Sequence, residues 1–117
     1  MAFEIQNNGN YSLVKVNAER LDTNNAPDLK SELVVMNTNG VKNIVLDLCK
    51  VKYCDSSGLR AVLVGNRLCE DAIGIFILSG LQPDVENLIK ISMLHTVLII
   101  TKTVEEAEKV MKKKQNL

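Results

Sequence analysis

Two adjacent hydroxyls beside a carboxylate, in Asp55-Ser56-Ser57-Gly58-Leu59, are the residues of this chain whose types and spacing could do chemistry. A serine becomes a nucleophile only with a base within hydrogen-bond reach. The sequence has one histidine, His95, and it falls in Ile91-Ser92-Met93-Leu94-His95, which reads as a connector into the last strand. The G-x-S-x-G elbow of serine hydrolases is absent around Ser57. Neither G-x-x-x-x-G-K nor G-x-G-x-x-G occurs, so no phosphate-cradling loop is visible. Asp47 and Asp55 could form an acid–base pair only if they shared a cleft, and solvated surface acids are the commoner outcome. The three cysteines, Cys49, Cys54 and Cys69, form no CxxC, and a zinc site would have to recruit His95 without the usual spacing. The sequence therefore makes no case for catalysis, for a metal or for a cofactor. A serine-dependent enzyme remains as a rival that an activated-serine probe on Ser56 or Ser57 would reveal.

What the five residues can do follows from where they stand. Ahead of them lies Asn43-Ile44-Val45-Leu46-Asp47-Leu48, a buried-strand pattern, and behind them an apolar helical pattern runs from Leu59 to about Cys69. The first N–H groups of a helix have no partner inside it, and that end carries partial positive charge. Two hydroxyls placed there admit two readings. In one, Asp55 or Ser56 is an N-cap and nothing more. In the other, a phosphate carried by one of the serines sits in a place prepared for an anion.

The elements that must hold this turn can be followed along the chain. Residues 3–7 and 11–16 read as strands joined by Asn7-Asn8-Gly9-Asn10, and Asn-Gly is a strong hairpin signal. Asp22-Thr23-Asn24-Asn25 opens a helix with Pro27 in its first turn and Ala26, Leu29, Leu33 and Met36 on one face; Asn37-Thr38-Asn39-Gly40 ends it. The strand 43–48, the connector 49–54 and a helix from 56 to 70 follow. A second buried strand, residues 73–78, completes a parallel crossover. Pro83 leads a helix with Val85, Leu88 and Ile89 inward, Val97-Leu98-Ile99-Ile100 is a last strand, and Thr103-Val104-Glu105-Glu106 is a capping box for a helix bearing Val104, Ala107 and Met111. The sum is one α/β domain over residues 1–117, with a mixed, mostly parallel sheet, an N-terminal hairpin and about four helices.

Composition narrows the partners. Acids and bases balance at 14 each, and the aromatics are Phe3, Phe76, Tyr11 and Tyr53, which disfavours nucleic-acid binding through a basic or base-stacking surface. Purely apolar runs are far below the 18 or more residues of a membrane helix, and Lys112-Lys113-Lys114 reads as a solvated helix end rather than an anchor. No secretory signal is visible at Met1-Ala2-Phe3-Glu4-Ile5-Gln6, and unpaired cysteines fit a cytoplasmic protein.

Binding is what remains. The helix after the turn is apolar over much of its circumference, and Gly58, Ala61 and Gly65 make a line of small residues along which another backbone could come close. Each glycine costs up to about 1 kcal/mol in a helix interior, so packing should offset it. Packing on this chain's own sheet and packing on a partner are both open.

At Asp55-Ser56-Ser57-Gly58-Leu59, together with the strand before it and the order of elements after it, the chain resembles the STAS domain family, specifically the stand-alone anti-sigma factor antagonists of bacteria. The resemblance covers nearly the whole chain. It implies a STAS-like fold and makes Ser57 the phosphoacceptor of a cognate anti-sigma factor that is a serine kinase, with Asp55 the motif acid and Ser56 its neighbour in the turn. A Gly-x-Leu-Asp stretch after the second strand in the family is matched by Leu21-Asp22, which carries over Asp22 as a partner-surface residue. Glu19 stands where the family usually has Gly. The partner-binding set implied is Asp22, Asp55, Ser56, Gly58 and Leu59. The implied action is a partner switch: the unphosphorylated protein binds the anti-sigma factor and frees a sigma factor, phosphorylation blocks binding, and a phosphatase reverses it. The family also implies an alternative, a scaffold without a phosphorylation switch or an accessory subunit of a transporter assembly.

Overall fold

The computed structural model describes residues 2–116. Two strands, β1 (Phe3–Asn7) and β2 (Ser12–Val16), form the antiparallel hairpin that Asn-Gly announced, with Gly9 in the left-handed region at φ 83°. β2 then pairs in parallel with β4 (Asn43–Asp47), β4 with β6 (Ile75–Ser79), and β6 with β7 (Ile99–Thr101), giving a five-stranded mixed sheet of order β1-β2-β4-β6-β7. Among the described residues four α-helices cover it: α1 (Ala26–Thr38), α2 (Ser56–Asp71), α3 (Pro83–Ile91) and α4 (Val104–Gln115).

The continuous apolar runs of β4 and β6 are explained by burial on both faces. Ile44, Leu46, Phe76 and Leu78 point to one side, where Leu29 and Leu33 of α1, Ala61 and Val62 of α2, and Val85 and Ile89 of α3 pack on them. Val45 and Ile77 point to the other, where α4 brings Ala107 and Met111. Three helices thus share one face and α4 covers the other. Leu88, expected inward on α3, is only half-buried.

Two strand limits differ from the sequence reading, each for a local backbone reason. Residues 73–78 were expected as a strand, but Ile73 takes φ 59° and closes α2, with Gly74 N donating to Cys69 O at 2.7 Å, so β6 starts at Ile75. Residues 97–100 were expected as the last strand, but Met93 takes φ 62° and a 3-10 turn follows over Leu94–Thr96. The N–H groups of Val97 and Leu98 both donate to Leu94 O, and β7 begins only at Ile99. The Thr103 cap forms as expected, its hydroxyl accepting from Glu106 N at 3.1 Å, while the Glu106 carboxylate reaches back to Lys102 N rather than to Thr103 itself.

The sequence reading missed a second, two-stranded parallel sheet, β3 (Arg20–Leu21) with β5 (Tyr53–Cys54). It joins the segment before α1 to the segment before α2, and the Arg20 guanidinium lies 4.9 Å over the Tyr53 ring.

Candidate functional site

α2 begins where the five-residue motif does. Asp55 is its N-cap, in extended conformation at φ −105° and ψ −173°, and its Oδ1 accepts the backbone N–H of Gly58 at 3.0 Å. Its carbonyl accepts from Leu59 N at 3.0 Å, the first bond of the helix. Ser56 and Ser57 therefore occupy the first two helical positions, where their N–H groups have no intrahelical partner. Of the two sequence alternatives for the cap, the structure selects Asp55. The cap is made by a carboxylate, which leaves both hydroxyls unengaged.

Ser56 is exposed and Ser57 half-buried. Among the described residues, the sealed side-chain oxygens without a hydrogen bond are Ser79 Oγ and Asn116 Oδ1. Ser57 Oγ also makes no hydrogen bond among those residues but is not sealed, so it opens to solvent. It does so into a groove of about 210 Å³ between the first turns of α1 and α2, lined by Pro27 and Lys30 from one helix and by Ser57, Arg60, Ala61 and Val64 from the other.

The β3–β5 sheet brings Asp22 to this end. Leu21 pairs with Cys54, and Asp55 N donates to Leu21 O at 3.3 Å, so the next residue on each strand, Asp22 and Asp55, leave the ladder side by side. Asp22 then starts the turn into α1: its Oδ1 accepts from Asn24 N at 3.0 Å and its carbonyl accepts from Ala26 N at 2.7 Å. Glu19 fits where the family motif has Gly. The non-glycine residues with positive φ among those described are Ile73 and Met93, so position 19 does not need a glycine backbone. Glu19 instead accepts from Lys52 N and Tyr53 N through its carbonyl and pairs with Lys52 Nζ at 3.5 Å.

Gly58 and Leu59, expected in the partner-binding set, lie beneath the two serines. Both are buried: Leu59 is 9% exposed within the larger core, and a Cβ on Gly58 would collide with Leu21 O and Cys54 Sγ. They form the floor that holds Ser56 and Ser57 up. The same holds for Gly65, against the Phe76 ring and Leu33. The small-residue line left open in the sequence serves packing within this chain.

The other candidate groups lie apart. Asp47 is buried at the end of β4, accepts from Cys49 N at 3.0 Å and lines a crevice with Lys15, Cys49 and Lys102, so it shares no cleft with Asp55. His95 is exposed on the 3-10 turn, and no hydrogen bond joins it to Ser56 or Ser57 among the described residues. Burial and, secondarily, the Asp55 charge push the Cys54 thiol up to about 11; burial pushes Cys69 up to about 12. Among the described residues, no three His, Cys, Asp or Glu side chains are grouped to hold a metal, and no helix is long and apolar enough to cross a membrane. The site is thus a helix start at which, among the described residues, two serine hydroxyls have no hydrogen-bond partner. Arg60 could have been noticed three residues after Ser57 on the same helical face; Lys30 comes from another helix, and no local pattern points to it.

A capped helix with an open serine on its first turn, laid on the face of a five-stranded mixed sheet, makes this a small α/β domain. The chain belongs to the STAS domain family, whose model matches residues 2–107. It is similar to BtrV of Bordetella bronchiseptica, a protein assigned as an anti-sigma factor antagonist, with 31% identity over 83 residues, 71% of this chain and 72% of that one. Among solved structures it resembles a serine-to-glutamate variant of RsbS from Moorella thermoacetica, at 21% identity and TM-score 0.85 over 100% of both chains. It also resembles the phosphorylated form of the Bacillus cell-fate determinant SpoIIAA, at 21% identity and TM-score 0.73 over 93% of this chain and 99% of that one. At these identities the structural likeness speaks to the fold.

Proposed function

We propose that this protein is an anti-sigma factor antagonist that works by partner switching. In its unphosphorylated form it binds an anti-sigma factor that is also a serine kinase, and a sigma factor is released; phosphorylation of Ser57 by that kinase blocks the complex, and a phosphatase restores it. The action is cytoplasmic and regulates transcription. The observation that carries the reading is the placement of Ser57: an unbonded hydroxyl open to solvent on the first turn of α2, with the capping role already taken by Asp55. Membership of the STAS family and the similarity to BtrV support it.

The partner would meet Asp22, Asp55, Ser56 and Ser57, with Gly58 and Leu59 fixing their height. A phosphoserine adds about −1.5 to −2 charge at pH 7. Next to a helix N-terminus that charge is tolerated by the fold, at a gain of about 0.3–1 kcal/mol. Inside an interface it brings bulk, desolvation and repulsion toward acids. Incubation with the cognate kinase and ATP, followed by intact-mass measurement, tests the assignment. One phosphate is expected on the natural chain and none on Ser57→Ala. No phosphate on either, or equal phosphate on both, rejects it.

A further inference from the structure

Ser57 shares its groove with two cations, Arg60 one turn along α2 and Lys30 from α1. Neither has an acidic partner: the ion pair among the described residues is Lys52 with Glu19. The acids near this end of the molecule are turned to other tasks. Asp55 accepts from Gly58 N, Asp22 accepts from Asn24 N, and Asp28 lines a different groove with Phe3, Ile5 and Glu32 on the far side of α1. The rest of the Ser57 groove is apolar, formed by Ala26, Pro27, Ala61 and Val64. Two unpaired cations beside a hydroxyl, over an apolar floor, are arranged to hold an anion attached to that hydroxyl.

We infer that Arg60 and Lys30 form an intramolecular clamp that draws a phosphate on Ser57 into the groove between α1 and α2, an inference that rests on Ser57 being the phosphoacceptor. Arg60 supplies a planar fork suited to two phosphate oxygens, and Lys30 supplies a point charge from the opposite wall. The phosphorylated state then differs from the free one in two respects. A dianion is added, and two cations that a partner could have used are consumed within the chain. Phosphorylation removes attraction as well as adding repulsion.

The clamp is tested with phosphoserine placed at position 57 during translation, so that the outcome does not depend on any kinase. The probe is the second ionisation of the phosphate followed by phosphorus NMR, in the natural sequence and in Arg60→Gln, Lys30→Gln and the double variant. Both side chains are exposed, and melting of the unmodified variants checks that they fold as the parent does. The ionisation is expected below the ordinary value of about 6 in the natural sequence. It should rise by about half a unit with each substitution, since a nearby cation favours the charged form. Identical titrations in the natural and doubly substituted chains overturn the clamp. Affinity for the anti-sigma factor is measured on the same phosphorylated proteins. If phosphorylation leaves that affinity unchanged, the partner switch fails, whatever the titrations show.

Discussion

The Asp55 carboxylate accepts the Gly58 N–H at 3.0 Å, and this one contact sets the register of the whole site. It fixes where α2 starts, puts Ser57 second in the helix, and presses Gly58 onto Leu21 O, which also receives the Asp55 N–H. Cap, floor and hydroxyl are parts of one turn.

Removing the cap acceptor should loosen that turn. Asp55→Ala is expected to lower stability by about 1 kcal/mol, read from urea unfolding. Asp55→Asn keeps an acceptor and should stay within about 0.5 kcal/mol of the parent. Equal losses in the two would show that the carboxylate charge, not the hydrogen bond, matters at this position.

Gly58→Ala should go against helix propensity. In an open helix the change gains up to about 1 kcal/mol, but here the new methyl meets a backbone carbonyl and the Cys54 sulfur. Overpacking of this kind costs about 1–3 kcal/mol, so a drop in melting temperature is expected. A rise would mean that α2 can slide away from β3.

Ser57→Asp and Ser57→Ala separate fold from switch. Neither should move the melting temperature appreciably, because Ser57 Oγ makes no hydrogen bond among the described residues. Ser57→Asp should weaken anti-sigma factor binding. Full phosphorylation is expected to cost about 3–4 kcal/mol, several hundred-fold in affinity. Equal titration curves for Ser57→Asp and the parent would count against the switch.

The thiols give a test that needs no partner. Cys49 is exposed, Cys54 half-buried and Cys69 buried, so an aromatic disulfide reagent should react promptly with one thiol in the native protein and with all three in denaturant. Burial raises the Cys54 and Cys69 thiols from 9.0 to about 11 and about 12. Below pH 9 the thiols are protonated in folded and unfolded chains alike, and their contribution to stability is intact. Above it the unfolded chain ionises first, so stability should fall as pH climbs from 9 toward 11 and 12. Tyr11, raised by burial and by its hydrogen bond to Glu108, adds to the fall at its upper end. Cys54→Ala should flatten the decline; an unchanged slope would show that Cys54 is ionisable in place.

Much of this was readable before any coordinates. The Asn-Gly hairpin, the unbroken apolar runs of β4 and β6, the Pro-led helices and the capped start of α2 each carry a local signal strong enough to survive folding. What escaped lacks such a signal. Two residues on each of β3 and β5 are too few for a period, and their pairing spans more than a helix and a strand. Ile73 and Met93 take left-handed backbones that usually call for glycine, so the helix ends they make were read as strand or connector. Leu59 entered the partner-binding set through the family motif, whereas the helical turn carries it underneath the two serines.

The β3–β5 pair also frees the spacing of Asp22 and Asp55 from the length of the turn that follows α1. Residues 22–52, including all of α1 and β4, leave and re-enter through two rungs of backbone pairing. A lengthened turn at Asn39-Gly40, both exposed, would enlarge that loop yet leave the spacing of Asp22 and Asp55 untouched.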